Sequence, residues 1–253
     1  MRIIDISMTT DADPAFAGDR ITFVDHAQGA ERNRVEAGID PDHWPTPGHS
    51  HAIDRLEITS HTGTHMDAPW HFGPRMADGS RPLTIEEWPL SRCMGDGVVL
   101  DISDVDDGAE VGLDHVQRLL REIDYAIKPG DVVLTMTGAD RHYGTPGYAD
   151  RGAGLSRAAL KWILEQGVTL TGTDAWSFDR PYSVWAAEYH RHGKDPQQLW
   201  PCHLLGLELP YAHIEKLANL DQLPPHGFTV IAFPVKIVNG TAGPVRAVAL
   251  VQE

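Results

Sequence analysis

Short runs of apolar and β-branched residues recur along the chain. Their pattern predicts strands over RIIDISM (2–8), VVLDI (98–102), DVVLTM (131–136), VTLTGTD (168–174), FTVIAFPVKI (228–237) and VRAVALV (245–251). Two stretches carry a helical pattern instead. LDHVQRLLREI (113–123) is one, and SRAALKWILEQ (156–166) is the other, with Ser156 placed to cap its first turn and Gly167 placed to end it. The order is mixed, with long strand-only and loop stretches and no strict βαβ alternation. This predicts an α/β chain with mixed β-sheet layers and flanking helices. No internal repeat or low-complexity linker interrupts it, and 253 residues with 42% hydrophobic content suffice for one substantial core. A single domain over 1–253 is the expectation. Proline and glycine concentrate in 10–50, 68–82 and 143–154, the kind of loop that carries sites rather than cores.

Charge narrows the partners. The formal net charge is −15 and no Lys/Arg-rich run occurs, so the electrostatic footprint of nucleic-acid binding is missing and a small ligand is expected. Cys93 and Cys202 are too few for a disulfide framework, which points to a reducing cytosol. The opening MRIIDISM is interrupted by Asp5 too early for a signal peptide, and no apolar run reaches membrane-spanning length. A soluble, cytoplasmic protein is expected. GADRHYGTPG (138–147) is glycine-rich but lacks the phosphate-loop spacing and its Lys-Ser/Thr pair, which argues against nucleotide binding.

The chemistry concentrates in HTGTHMDAPWH, residues 61–71. His61 and His65 have i, i+4 spacing, yet the β-branched Thr62 and Thr64 around Gly63 disfavour a helix. Read as a strand continuing from RLEITS, positions 61, 65, 67 and 71 share one parity, opposite to Leu56 and Ile58. Four extended residues span roughly 13 Å, near the limit for two imidazoles to reach one ion through bonds of about 2.0–2.1 Å. The backbone must therefore bend, with Gly63 able to adopt the conformation and Pro69 stopping the strand and redirecting His71. Neutral imidazole and carboxylate suit zinc, manganese or iron, and Asp67 has two oxygens with which to bridge two ions. A lone histidine is more simply a polar loop residue bonded to backbone, but four ligand-type groups in eleven residues point to a metal site. Asp174 reads either as a partner orienting a ligand histidine or as a turn-forming aspartate. Trp70 and Trp176 read either as an aromatic wall for a planar substrate or as packing surface.

HTGTHMDAPWHF resembles the signature H-x-G-T-H-x-D-x-P-x-H of the cyclase family of metal-dependent hydrolases, which includes bacterial kynurenine formamidase and isatin hydrolase. DIS (5–7), PGD (129–131), GTDA (172–175) and CHLLGLELPYAHIEKLANLDQL (202–223) agree with it, so nearly the full length is covered. The resemblance implies a cyclase-like swivelling β/β/α fold and one or two divalent ions, zinc or manganese. By the same resemblance His61 and His65 bind the first metal, Asp67 binds it and bridges to a second, His203 binds the second, and Glu215 touches both. His71 becomes the proton-transferring residue rather than a ligand. His203 and Glu215 are twelve apart here and in the formamidase pattern, and IEKL is similar to the family's Ile-Val-Glu-x-Leu. Without the family, His203 reads more simply as a helix-surface residue and Glu215 as a solvated charge, and Pro210 keeps a single helix from presenting both.

Departures shape the expected substrate. PAFAGD (14–19) places Phe16 where the formamidase has its substrate-stacking tryptophan. Two stretches, 28–53 and 182–200, are longer than in a compact formamidase and bring Trp44, Trp185, His190 and Trp200. Phe16, Trp70 and Trp176 are the candidate substrate-binding residues. The expected activity is hydrolysis of an amide C–N bond in a small cyclic amide or imide, isatin-like, or in an aryl formamide, by metal-activated water with His71 as general acid/base. Kynurenine formamidase proper, a lactone hydrolase, a cyclase-dehydratase and a non-catalytic metal-binding sensor are the alternatives, and a spare histidine at 71 favours catalysis. The resemblance also implies a homo-oligomer, dimer or tetramer, in which an N-terminal loop of one subunit completes its neighbour's pocket.

Overall fold

The structure, a computed structural model, describes residues 1–11 and 19–252 and divides into two compact units, Asp11–Thr59 and Met1–Thr10 with Ser60–Glu253. β1 (Arg2–Asp5) opens the larger unit. The smaller unit holds an antiparallel ribbon of β2 (Arg20–Val24) and β3 (Ile53–Glu57), with α1 (His26–Ala37) between them in sequence. Periodicity does not predict α1, because HAQGAERNRVEA is polar nearly all round and buries only Gly29 and Ala30. Its ends fix it instead. Asp25 and Gln28 form a reciprocal capping box, and Gly38 closes the helix at φ +67°.

The larger unit continues with β4 (His65–Asp67), the single-turn α2 (Pro69–Phe72), β5 (Met94–Asp101) and the two-residue β6 (Glu110–Val111). Then come α3 (Leu113–Glu122), β7 (Val132–Met136), the two-residue β8 (Gly154–Leu155), α4 (Arg157–Glu165) and β9 (Leu170–Thr173). After α5 (Tyr182–Arg191) and α6 (Pro201–Leu205) the chain ends in β10 (Ala212–Glu215), β11 (His226–Ile231), β12 (Ala242–Pro244) and β13 (Val248–Val251). Nine strands make one mixed sheet in the order β1-β13-β11-β5-β7-β9-β10-β4-β12. The central β5, β7, β9 and β10 are parallel, and the flanking pairs are antiparallel. The mixed α/β architecture is thus the one the pattern predicts. Both predicted helices form, with Ser156 Oγ accepting from Ala159 N and Gly167 at φ +92° past the end of α4. The predicted strand over 228–237 stops at Ile231, shortly before Pro234, which has no N–H for a ladder. Among the described residues no helix is long and apolar enough to cross a membrane.

Strand alternation builds two cores on opposite faces of the sheet. Val99, Val132, Leu134, Leu170, Met66, Ala212 and Ile214 pack on one face with Trp88, Leu217 and Phe228. Val98, Leu100 and Val133 face the other way, against Val116 and Leu120 of α3 and Leu160 and Ile163 of α4. On that second, helical face β4 and β10 present His65, Asp67, His213 and Glu215 in place of aliphatic side chains. Met66 and Ile214 between them are fully buried in the opposite core, a burial that stabilises the register by roughly 1.5–3 kcal/mol per side chain. A slip of one residue would exchange these two for the ionisable set, so the register is strongly specified.

One expectation is corrected here. No strand runs from RLEITS through the motif: β3 ends at Glu57, and Gly63 at φ +66° lies in a turn that precedes β4. Only His65 and Asp67 of the predicted same-parity set lie on a strand. His61 reaches them from the turn, and His71 lies on α2, where Pro69 occupies the first turn and needs no N–H partner. The bend expected at Gly63 is the feature that makes this possible.

Candidate metal centre

The floor of the centre is a rectangle set by sheet register. Asp67 lies opposite His213 and His65 opposite Glu215 in the antiparallel β4–β10 pair, a geometry that brings facing Cβ atoms to about 4.5–5.5 Å. His61 from the turn, His71 from α2 and His203 from α6 stand around this floor. Side-chain exposure is 0% for His65, 1% for Asp67, 2% for His203, 0% for His213 and 8% for Glu215, against 18% for His61 and 21% for His71. The centre therefore opens to solvent on the side of His61 and His71.

Each carboxylate divides its two oxygens between two groups of nitrogens. In the first group, Asp67 Oδ1 is 3.0 Å from His61 Nδ1 and 3.3 Å from His65 Nε2, and Glu215 Oε2 is 3.5 Å from His65 Nε2. In the second, Asp67 Oδ2 is 3.1 Å from His213 Nε2 and 3.8 Å from His203 Nε2, and Glu215 Oε1 is 3.5 Å from both nitrogens. Ligand atoms about 2.0–2.1 Å from a tetrahedral ion stand about 3.3–3.4 Å apart, close to these separations. His71 Nε2 is 3.7 Å from Asp67 Oδ2, beyond hydrogen-bond range and at the edge of the cluster.

The outer nitrogens fix which way the lone pairs point. His65 Nδ1 donates to Gly63 O at 2.9 Å, which leaves Nε2 as a lone pair aimed at the two carboxylates. His203 Nδ1 donates to Asp179 Oδ2 at 2.6 Å, and Asp179 also accepts the backbone N–H groups of Cys202 and His203 at 2.9 and 3.0 Å. One buried aspartate thus anchors both the start of α6 and the ring that α6 carries. His61 Nε2 lies 3.1 Å from Thr241 Oγ1, and Glu215 Oε1 accepts from Phe178 N at 2.7 Å.

Electrostatics agree with a cation-binding role. Burial opposes ionisation of Asp67, but the charges of His61, His71 and His65 hold its carboxyl well below the usual range. Glu215, also buried, is lowered to about 2 with His213 as the main favourable partner. Burial opposes charge on His213 too, yet Asp67 and Glu215 raise it to about 9, and Asp67 raises His61. His71 goes the other way, lowered by burial to about 4. Asp67 Oδ1 is a buried oxygen without a hydrogen-bond donor, facing nitrogens that can serve as ligands. Two ionised carboxylates, a donorless oxygen and convergent lone pairs make a set that fits a divalent metal ion, and such a set is costly to bury without one.

The sequence-predicted residues His61, His65, Asp67, His71, His203 and Glu215 all converge here. Phe16 lies outside the described residues. Trp176 stands over Lys216 Nζ at 4.9 Å, and that ammonium donates to His61 O, so the indole borders the first group. Trp70 is half-buried beside His71 on α2. Rings that pack on the histidines include Phe72, Phe178 and Trp200, the last stacked on His203 at 4.8 Å and 5.6 Å from His71. Asp174 joins the ends of β7 and β9, accepting from Thr137 N, Thr137 Oγ1 and Gly138 N, bonds to a distant segment that match neither the histidine-orienting nor the turn-forming reading.

His213 and Asp179 were not legible from spacing. His213 sits between Ala212 and Ile214 on β10, a strand outside those the pattern predicts. Its parity with Glu215 was the available signal. Asp179 gave none, because only α6 brings it to His203.

Comparison with known proteins agrees with this geometry. The chain is 28% identical to a kynurenine formamidase of Salinibacter ruber over 249 residues, 98% of this chain and 97% of the relative. It is 27% identical to an isatin hydrolase of Roseibium aggregatum over 220 residues, 82% of this chain and 78% of that protein. Among solved structures, isatin hydrolase A from Labrenzia aggregata, bound to benzyl benzoate, superposes with a TM-score of 0.74 at 26% identity, covering 100% of this chain and 94% of that one. The Cyclase family pattern, described as "Putative cyclase", matches residues 4–180, a span that holds the whole 61–71 motif. With most of its length matched and the motif's histidines and aspartate gathered at one face of the sheet, the chain belongs to the Cyclase family.

Proposed function

We propose that the protein is a metal-dependent hydrolase that cleaves an amide-type C–N bond in a small cyclic amide or imide of the isatin type, with an aryl formamide as the alternative substrate. The observation that carries this reading is the division of the two carboxylates: Asp67 offers one oxygen to His61 and His65, Glu215 offers one to His65, and the other oxygen of each faces His203 and His213. That arrangement suits one or two ions, and its nitrogen and oxygen donors suit zinc or manganese. Lewis acidity, to polarise the scissile carbonyl and acidify water to a pKa of about 7, is what such an ion would supply.

The chain's own groups supply the rest. His71, at the open side and kept neutral by burial, accepts a proton from the attacking water, and Asp67 Oδ2 at 3.7 Å favours the imidazolium that forms. The same ring then returns the proton to the departing nitrogen. Trp200, carried by the longer 182–200 stretch, borders the open side beside His71 and His203 and supports a planar ring as substrate. Phe16 in place of the formamidase tryptophan favours the cyclic amide over N-formylkynurenine. Cytosolic residence, supported by two free cysteines, and a homodimer or tetramer, supported by the family resemblance, complete the proposal.

The test is metal analysis of purified protein joined to hydrolysis assays on isatin, a simple cyclic imide and N-formylkynurenine. Activity should vanish in chelator, return with zinc or manganese, and show its highest kcat/KM on the cyclic amide. Full activity in metal-stripped protein would overturn the metal-dependent reading. A higher kcat/KM for N-formylkynurenine would make the aryl formamide the substrate.

A further inference from the structure

His213 lies on β10 between the fully buried Ala212 and Ile214. An imidazole buried between two core residues is costly unless both nitrogens are satisfied. Nδ1 is 3.2 Å from Tyr211 Oη, and Tyr211 donates its own proton to Cys202 O at 3.0 Å, so the phenol oxygen accepts from Nδ1–H. This aims Nε2 at the two carboxylates, 3.1 Å from Asp67 Oδ2 and 3.5 Å from Glu215 Oε1. Without an ion a proton on Nε2 bridges the ring to these oxygens, and a divalent cation would take that proton's place, with Nε2 as a lone pair and both oxygens as further donors. The ring is held in that orientation by Phe178, stacked at 4.7 Å and 9°, and by Phe72 at 5.2 Å and 27°.

We infer that His213 is a metal ligand, completing with His203, Asp67 and Glu215 a two-nitrogen, two-oxygen set at one half of the centre. One potential ligand atom from each of these four buried residues lies within 4.8 Å of the others. The inference rests on the metal-dependent reading above and adds to it: the second half has a complete tetrahedral set from protein groups alone, with Tyr211 as the residue that positions the new ligand. Such a set favours zinc over harder ions at this half.

The experiment is titration of chelator-stripped protein with zinc and cobalt(II), following stoichiometry by elemental analysis and the visible cobalt bands by absorption. Wild type should take up two equivalents. His213→Ile, which replaces the ring with an aliphatic side chain suited to a buried strand, should bind one fewer, or bind the weaker one at least about 100-fold less tightly with a changed cobalt spectrum. Tyr211→Phe keeps every ligand and should weaken the same equivalent about 10-fold. A folded His213→Ile with wild-type stoichiometry, affinity and spectrum would overturn the inference. If that variant does not fold, unchanged affinity in Tyr211→Phe overturns it instead. His65→Ala separates the two levels: metal lost there but untouched in His213→Ile leaves the metal-dependent reading standing, whereas wild type that binds no metal removes both.

Discussion

The two halves of the metal centre are built by different means. His61 and His65 are four residues apart, and their outer nitrogens rest on Thr241 and on a backbone carbonyl two residues away. His203 and His213 come from a helix and a strand. Buried side chains, Asp179 and Tyr211, hold them. The first half is local and open at His61, whereas the second is tertiary and closed. The local half takes its two nitrogens from the turn at Gly63 and the strand after it, with Thr241 and Glu215 added from elsewhere, while the tertiary half needs the helix start, the strand register and the aromatic packing together.

The sharpest way to break the comparison is to remove a ligand from the local half. His65→Ala should lose its metal and lower kcat/KM by at least about 10⁴-fold, the scale on which residues acting as a unit fail together. Elemental analysis beside the kinetics checks it. His71→Gln removes no proposed ligand, so metal content should stay at the wild-type level while kcat falls about 10²- to 10⁴-fold. Metal lost along with activity would move His71 into the ligand set. Asp179→Asn touches only the tertiary half: it should weaken one metal equivalent about 10- to 100-fold and leave the other unchanged, as isothermal titration would read.

The smallest effect lies outside both halves and separates burial from hydrogen bonding. Exposed Glu87, held by Arg81 and by the N–H and hydroxyl of Thr84, has its pKa lowered to about 2, as buried Glu215 does. A depressed folded-state pKa contributes stability that is fully present above about 4.5 and is lost as pH falls toward 2. Glu87→Gln should therefore melt slightly below wild type at neutral pH, and the gap should close as pH falls through this window. A gap that does not change with pH would show that the carboxylate charge is not what the capping turn uses.

Legibility followed the same division. The local half was readable because four ligand-type residues in eleven positions have no ordinary explanation, and Gly63 announced the bend. What failed was the parity argument through RLEITS, since period-2 reasoning holds only while the chain stays extended, and the turn at 60–64 resets it. In the tertiary half, His203 and Glu215 became visible only through the family resemblance. His213 and Asp179 remained hidden, because their roles depend on which strand lies beside β10 and where α6 begins. The same limit applies to the fold: amphipathic α3 and α4 were marked by periodicity and caps, while polar α1 and short α6 have too little apolar pattern to register.

The pairing of β4 with β10 bears on how the protein comes to exist. Asp67 and His213 are 146 positions apart in sequence. Pairings of such separation pay loop-closure entropy before their contacts reward it, which slows folding. An ion held there would bind the native sheet and not the unfolded chain, and so would stabilise the fold by mass action. The centre would then serve as a latch on the finished sheet, fastened by the same strands that form it.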